Sequence, residues 1–458
     1  MKVGIKHLAC CLLLFFLSAC SLGQMLEEAP LPTPVATAQP WSLALAPAGD
    51  LVFDPVSDVV PAVDPAIASL VTAVSQQQLM GYVQAVESFG TRNTFSATDN
   101  PTFGIGAARQ WIFNEFQRVG NGRLQVQFQK FPVYYYGFAA EGWNVVATLP
   151  GTSGSNDVIV IMAHYDTRPD SAVDGVSLAP GANDNGSGIA LLLETARLLS
   201  SREWNQTIIF LATAAEEQET QGARMFVQEA FWGGMDVTAA INYDGVGGEV
   251  GIPQNIRLFA PELHQSSAGE LARYYEYVAG LYVPTFPIHL INAADREGRY
   301  GDQREFLNAG MPTIRLTQSI ENPDLLNSRR DSWSQIDYRY LQQVVQMNVA
   351  VVANLAGSPA TPEVPLIRAM DEPGQYRLNW PVDPAAAGYA IAFRPVNQER
   401  YPAFRFVRAR EAGNIALTGF DPGVSYAVSM AALDTHGRVS YFTSEVLVEP
   451  VLQTASNP

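Results

Sequence analysis

The chain of 458 residues is 47% hydrophobic and 16% charged, enough for one large core with a smaller domain beside it and too apolar for bulk disorder. Its 45 acidic and 28 basic residues leave a net charge of −17, which argues against a nucleic-acid-binding surface and favours the approach of a cation or a protonated amine. Cysteine is confined to Cys10, Cys11 and Cys20, so beyond residue 20 the chain must fold and work without disulfides or thiolates.

Lys2, Lys6 and His7 precede an apolar run from Leu8 to Leu17, followed by Ser18-Ala19-Cys20. The run is too short for a permanent membrane anchor and has the layout of a signal peptide over residues 1–20. Its end, Leu17-Ser18-Ala19-Cys20, resembles a bacterial lipobox; an ordinary signal peptide with an incidental cysteine is the alternative. The resemblance implies export, cleavage before Cys20 and a lipid anchor in the membrane through Cys20, facing the periplasm or the extracellular side. Labelling with a radioactive fatty acid is then expected for the wild type and lost in Cys20→Ala; equal labelling of both rules the lipobox out. Residues 21–64, with Pro30, Pro32, Pro34, Pro40 and Pro47, read as a Pro/Ala/Thr-rich tether that needs no fixed conformation.

The spacing of Ile67, Leu70, Val71, Val74, Leu79, Val83 and Val86 predicts a helix over 66–89, with a break near Gln78. A second helix is predicted over 107–119, stopped by Gly120 and Gly122. Strands follow at 143–149 and at 157–163, the latter apolar on both faces and therefore suited to the inside of a covered sheet. Helices at 185–200, 223–231, 266–279 and 337–355 then alternate with strands at 207–212, 238–242 and 312–316. This alternation predicts a three-layer α/β domain over 65–357.

Gly357-Ser358-Pro359-Ala360-Thr361-Pro362 reads as a linker, after which short strands at 376–380, 388–394, 404–407, 414–417, 425–432 and 439–448 predict a small all-β sandwich over 363–450. Trp380, Tyr389 and Tyr426 are its candidate core aromatics. The run from Leu417 to Tyr426 resembles the late turn and corner tyrosine of a fibronectin type III domain, a module that spaces, shields or docks and carries no chemistry of its own.

Four clusters are expected at or just past the C-terminal ends of strands, where open α/β sheets place their sites: His164-Tyr165-Asp166, Gly181 to Gly188, Glu216-Glu217 and Asn242-Tyr243-Asp244. Each has an ordinary reading alone. His164 can be a satisfied structural histidine, Asp184 can sit near a helix N-cap, Glu216-Glu217 can be a solvated loop and Asp244 a turn residue. Together they are harder to dismiss, because carboxylates converging beside apolar strands repel and take up protons unless a cation holds them. One imidazole with three or four carboxylates suits zinc, with manganese or cobalt next. Ser187 lacks the strand–nucleophile–helix spacing of a hydrolase elbow.

Residues 66–356 resemble the zinc metallopeptidase family M28, which includes bacterial secreted leucyl-type aminopeptidases and has glutamate carboxypeptidase among its relatives. The matching elements are His164-x-Asp166, the run Gly181-Ala-x-Asp-Asn-x-Ser-Gly188, Glu216-Glu217 with Gly222 beyond, and Asn242-x-Asp244. The resemblance implies a zinc-exopeptidase-like α/β/α fold with a mixed sheet, and a peptide substrate with a free N-terminus. It implies that His164, Asp184 and Asp244 hold a first metal and that Glu217, with Asp184 as bridge, holds a second. Asp166 would orient His164 through its other ring nitrogen. Glu216 would be the general base, taking a proton from the attacking water and passing it to the leaving amine. Adjacent residues leaving a strand point in opposed directions, so Glu216 and Glu217 are expected to face different partners.

The chain departs from the family at the last metal ligand, a histidine in a Tyr-His-Thr-x-x-Asp-like segment. Here Leu326-Asn327-Ser328-Arg329-Arg330-Asp331 puts Asn327 at that position, and upstream Gly301-Asp302-Gln303 replaces a Ser-Asp-His-like element. An amide is a poor zinc ligand beside imidazole, so one tight site and a weak second site held with Asn327 are expected. A substitute ligand such as His289 or His264 is an alternative. A catalytically weak or inactive surface binding protein, and a single-zinc enzyme resembling glutaminyl cyclases, are the alternatives to an active aminopeptidase. Arg329 and Arg330 are candidates for a carboxylate-binding subsite, though adjacent loop arginines are more often solvated.

Overall fold

A computed structural model describes residues 60–449; the leader, Cys20 and the tether as far as residue 59 lie outside the described residues. Helix α1 (Pro65–Thr72) starts where Asp64 accepts the Ala66 N–H at 2.7 Å, with Pro65 in the first turn, where its missing N–H costs nothing. Asp64, the last residue of the expected tether, also pairs with Arg438 at 3.2 Å. Helix α2 (Gln76–Glu87) has its own cap in Ser75, whose hydroxyl accepts from Gln78 N–H. The helix predicted over 66–89 therefore breaks at 73–75 and not at Gln78, because Ser75 supplies a cap and sends its own N–H to Glu194 at 2.8 Å. Helix α3 (Ile105–Gly120) ends on Asn121 in the left-handed conformation, at φ 47°.

An antiparallel hairpin of β1 (Gln125–Tyr135) and β2 (Phe138–Leu149) follows. Strand β1 escapes sequence prediction because it is a largely exposed edge strand that carries Pro132, tolerated only at a sheet edge. The chain continues as β3 (Asp157–His164), α4 (Ser187–Leu199), β4 (Thr207–Thr213), α5 (Gln221–Trp232), β5 (Asp236–Tyr243), β6 (Ile256–Phe259), α6 (Ser267–Tyr282), β7 (Ile288–Ile291), α7 (Gln303–Asn308), β8 (Thr313–Gln318) and α8 (Tyr338–Gly357). The strands β6 and β7 and the helix α7 were not anticipated, being too short to establish a period.

These strands form one mixed sheet in the order β1-β2-β4-β3-β5-β8-β6-β7, with β4, β3, β5 and β8 parallel at its centre. Side chains alternate across β3 as strand geometry demands. Ile159, Ile161 and Ala163 join the core beneath α4 and α8, while Val158, Val160 and Met162 join Phe226 of α5 and Phe306 of α7. The apolar run predicted to be covered on both sides is so covered.

Beyond α8, strands β9 (Leu366–Ala369), β10 (Tyr376–Asn379), β11 (Gly388–Pro395), β12 (Ala403–Arg408), β13 (Asn414–Leu417), β14 (Tyr426–Leu433) and β15 (Val446–Val448) build two antiparallel sheets, β13-β10-β9 and β12-β11-β14-β15. The strand expected over 439–448 shrinks to β15 and an isolated bridge from Leu433 to Val439. Tyr389, Ile391 and Phe393 fill the space between the sheets with Trp380. Ala390 and Ala392, on the other face of β11, join the main core, and Tyr277 of α6 meets Phe404 of β12 at 4.9 Å between ring centroids. No helix among the described residues is long and apolar enough to cross a membrane.

Candidate metal centre

The parallel register sets Met162 of β3 beside Asn242 of β5, so both strands run out at the same level of the sheet. His164 closes β3 and Asp244 follows β5 directly. His164 Nε2 lies 3.4 Å from Asp244 Oδ1 and 3.1 Å from Asp184 Oδ1, and ligand atoms of all three residues fall within 4.8 Å of one another. His164 and Asp244 are buried and Asp184 is nearly so.

Asp184 arrives by a different route from the one expected, since its run lies at the entry to α4 and not at a strand end. Gly181 is left-handed at φ 52°, and a Cβ there would come within 2.5 Å of the Asp184 carbonyl oxygen. The buried Arg92 ties this turn to the end of β3, donating from Nε to the Tyr165 carbonyl at 2.6 Å and from its terminal nitrogens to the carbonyls of Pro180 at 2.6 Å, Gly181 at 2.8 Å and Val86 at 3.1 Å. Asp331 accepts the N–H groups of Asn183 at 2.7 Å and Asp184 at 2.9 Å. Asn185 donates to the Tyr243 carbonyl at 2.8 Å, which joins the turn to β5. The Ser187 hydroxyl is engaged by Asn183 O and Val246 N–H.

Asp166 holds the other ring nitrogen of His164, but through its carbonyl more closely than its carboxylate. The close partner of His164 Nδ1 is the Asp166 carbonyl at 3.1 Å, while the carboxylate is 3.8 Å away. That carboxylate instead accepts the N–H groups of Glu216 and Glu217, each at 3.1 Å, because two amides of one turn converge on it. It fixes the carboxylate pair through its backbone. Strand β4 has already ended at Thr213, and Ala215 is left-handed at φ 57°, so Glu216 and Glu217 stand in a turn and line the same cavity. The alternation of a strand does not apply to them.

Glu217 and Asn327 do meet, around a guanidinium. Arg168 Nε donates to Glu217 Oε2 at 2.6 Å. With the Asn327 amide turned as its neighbours require, its nitrogen donates to Glu217 Oε1 at 3.1 Å and its oxygen accepts from Arg168 at 2.9 Å. Neither belongs to the group formed by His164, Asp184 and Asp244. His289 lies exposed on β7, the edge strand farthest from β1, and supplies no substitute ligand. Arg329 and Arg330 are exposed and Arg330 donates to the Asp324 carbonyl at 2.6 Å; neither lines the cavity.

Further residues hold the site, of which Arg315 and Asp295 were not singled out from the sequence. Arg315 donates to Asp244 Oδ2 at 2.7 Å and pairs with Asp295. Gln303, in the place of the family's histidine, accepts from Asn242 at 2.7 Å and donates to Asp295 at 2.8 Å. Asp302 is buried and accepts from the Thr213 hydroxyl. Asp302 and Gln303 were marked in the sequence only as an altered element of the family's pattern.

The electrostatics follow from burial and from like charges held together. Burial opposes a charge on His164, but Glu216 and the hydrogen bonds to Asp184 and Asp244 outweigh it and hold the imidazole pKa well above its usual range. Burial pushes Glu216 well above the carboxylate range, His164 offsets part of this, and Glu217 and Asp244 add to it. Glu217 rises to about 8 through burial and the charge of Asp184, with Arg168 pulling the other way. Burial acts to raise Asp244 too, yet Arg315 and His164 overcome it and keep that carboxyl well below the usual range. A cation entering among His164, Asp184 and Asp244 must displace the imidazole proton, so its binding weakens as pH falls.

The cluster opens into a cavity of about 630 Å³ whose outer wall includes Tyr135, Tyr136, Phe138, Arg299 and Tyr300. One imidazole nitrogen and two carboxylates at this spacing fit zinc by donor type and leave room for water and a substrate oxygen. A family model described as peptidase family M28 matches residues 144–352. A probable zinc metalloprotease of Leptosphaeria maculans is 33% identical over 374 residues, covering 73% of this chain and 87% of that protein. The fold is similar to that of the Legionella pneumophila LapA aminopeptidase, with a TM-score of 0.52 and 18% identity over 66% of this chain and 78% of that one. It is also similar to the Porphyromonas gingivalis glutaminyl cyclase, with a TM-score of 0.50 and 22% identity over 61% of this chain and 98% of that one. With a His/Asp/Asp group that could hold a metal ion and a probable zinc metalloprotease matched over most of its length, this chain belongs to peptidase family M28.

Proposed function

We propose that the protein is a zinc-dependent aminopeptidase that removes N-terminal residues from peptides. The observation that carries this reading is the convergence of His164, Asp184 and Asp244 within 4.8 Å beside Glu216, at the floor of an open cavity. His164, Asp184 and Asp244 would hold the metal. A bound zinc ion polarises the scissile carbonyl and acidifies water. Glu216, held by the Asp166 clamp on its backbone N–H, takes the proton from the attacking water and returns it to the departing nitrogen. Arg315 and Asp331 hold Asp244 and Asp184 in position.

A free α-amine would be drawn by the remaining carboxylates of the cavity, and the tyrosine and phenylalanine wall would receive the first side chain. The C-terminal sheets are proposed as a fibronectin type III-like module. In support, Tyr426 OH accepts the Asp421 N–H at 3.3 Å, a hydroxyl bonding back to the preceding turn. Export and anchoring through Cys20 complete the reading as a cell-envelope enzyme.

Aminoacyl-nitroanilides should be hydrolysed in the presence of zinc. The activity should be lost on chelation, be restored by zinc, and be absent for the N-acetylated substrates. Equal turnover of free and acetylated substrates would overturn an aminopeptidase assignment. Ammonia release from N-terminal glutamine without hydrolysis would favour the cyclase reading, and no turnover across the panel would favour a binding protein.

A further inference from the structure

The expected second metal position is where Glu217 and Asn327 meet, and the side chain between them is Arg168. All three guanidinium nitrogens are engaged: Nε with Glu217 at 2.6 Å, one terminal nitrogen with the Asp170 carbonyl at 3.1 Å and the other with the Asn327 oxygen at 2.9 Å. Glu217 receives Arg168 on Oε2 and the Asn327 amide on Oε1, so both its oxygens are taken within the ring. We propose that the Arg168 guanidinium stands in for the second metal ion, so that this site takes one divalent cation, at His164, Asp184 and Asp244, and no second. This inference rests on the metallopeptidase reading and deepens it.

Asn327 suits a guanidinium better than a histidine would. Its amide offers one oxygen to accept from Arg168 and one NH₂ to donate to Glu217, on a single planar group. An imidazole poised to bind metal presents a single bare nitrogen toward the same place, which can accept from Arg168 but cannot also donate to Glu217 as the Asn327 amide does. Asn327 also occupies the left-handed region, at φ 52°, a conformation asparagine adopts more readily than most residues. The positive charge of Arg168 falls in the field of Glu217, Asp184 and Glu216, the carboxylates that a second cation would otherwise balance. An arginine guanidinium stays protonated in proteins, so this positive charge is permanent.

The replacement has a consequence for chemistry. An arginine cannot exchange, be chelated or acidify water as a metal does, but it can fix Glu217 and donate to an oxygen of the substrate. The activity of the site should then saturate at a single equivalent of zinc.

The test is a count of bound metal on the full purified chain, stripped with chelator, titrated with zinc by calorimetry and assayed for metal after dialysis. The wild type is expected to keep one equivalent. Asn327→His alone should still keep one, because Arg168 remains paired with Glu217. Asn327→His combined with Arg168→Gln should keep two, with the first equivalent bound as in the wild type, which also shows that the variant is folded. Two equivalents in the wild type, two in Asn327→His alone, or only one in the double variant each overturns the role of Arg168 while leaving the metallopeptidase reading intact. No zinc bound by the wild type removes the metallopeptidase reading itself.

Discussion

Replacing Glu216 with glutamine is expected to lower turnover by about 10²–10⁴-fold, the usual span for loss of a general base, while leaving the bound zinc and the fold unchanged. Glutamine keeps the size and hydrogen-bonding reach of glutamate and removes only the proton-accepting charge. The backbone clamp survives as well, because Asp166 grips the N–H groups of residues 216 and 217 and not their side chains. Glu216 is not among the three residues grouped around the metal position, so metal content measured alongside turnover should match the wild type. Near-wild-type turnover would remove Glu216 from the mechanism. A parallel loss of zinc would make it a ligand instead.

Arg92→Met is expected to be the most damaging change outside the ligands, for stability and for metal binding alike. The side chain is fully buried and bonds four backbone carbonyls, from α2, the end of β3 and the Gly181 turn. Burial lowers its pKa to about 10, with the carboxylates of Asp331, Asp166 and Asp184 opposing the drop, so it stays charged at neutral pH. Methionine fills much of the volume and offers no donor. Each buried carbonyl left without a partner costs about 1–3 kcal/mol, and the loss of such a network lies at the upper end of single-residue effects. A fall on the order of 3 kcal/mol or more is expected in chemical denaturation. Zinc affinity should drop with it, because the turn that delivers Asp184 loses its tie to the strand that delivers His164. Unchanged unfolding and unchanged zinc affinity together would show that the turn holds itself.

The candidate site residues and the inner strands were legible in the sequence where their signals are local. An apolar run such as 157–163 must be covered on both faces, and a polar cluster at its end has no other place than the rim of the sheet. His164 and Asp244 could thus be placed from residues a few positions apart, whereas Asp184 and Glu216 took their roles from the resemblance to the family's motifs. The break between α1 and α2 was only partly legible, because Ser75 competes as a cap and the apolar period runs on past it. The rhythm of short strands and turns marked β11 as a strand, but not that Ala390 and Ala392 on one of its faces would join the main core.

What only the tertiary structure decided is how those ligands are held and what accompanies them. Arg92 reaches Gly181, Asp331 reaches Asp184, Arg315 reaches Asp244 and Arg168 meets Asn327. An arginine has the same composition signature on a surface as in a buried network, and nothing in its neighbours along the chain tells the two apart. Asp166 partners His164 through its carbonyl, and its carboxylate also clamps the turn of Glu216 and Glu217, since the distance between β3 and β4 is fixed by their pairing and not by their sequences. The sequence by itself offered the candidate metal-binding side chains; the packing of distant segments determined which of them converge and which charges stand beside them, because electrostatic interactions depend on separation in space and not along the chain.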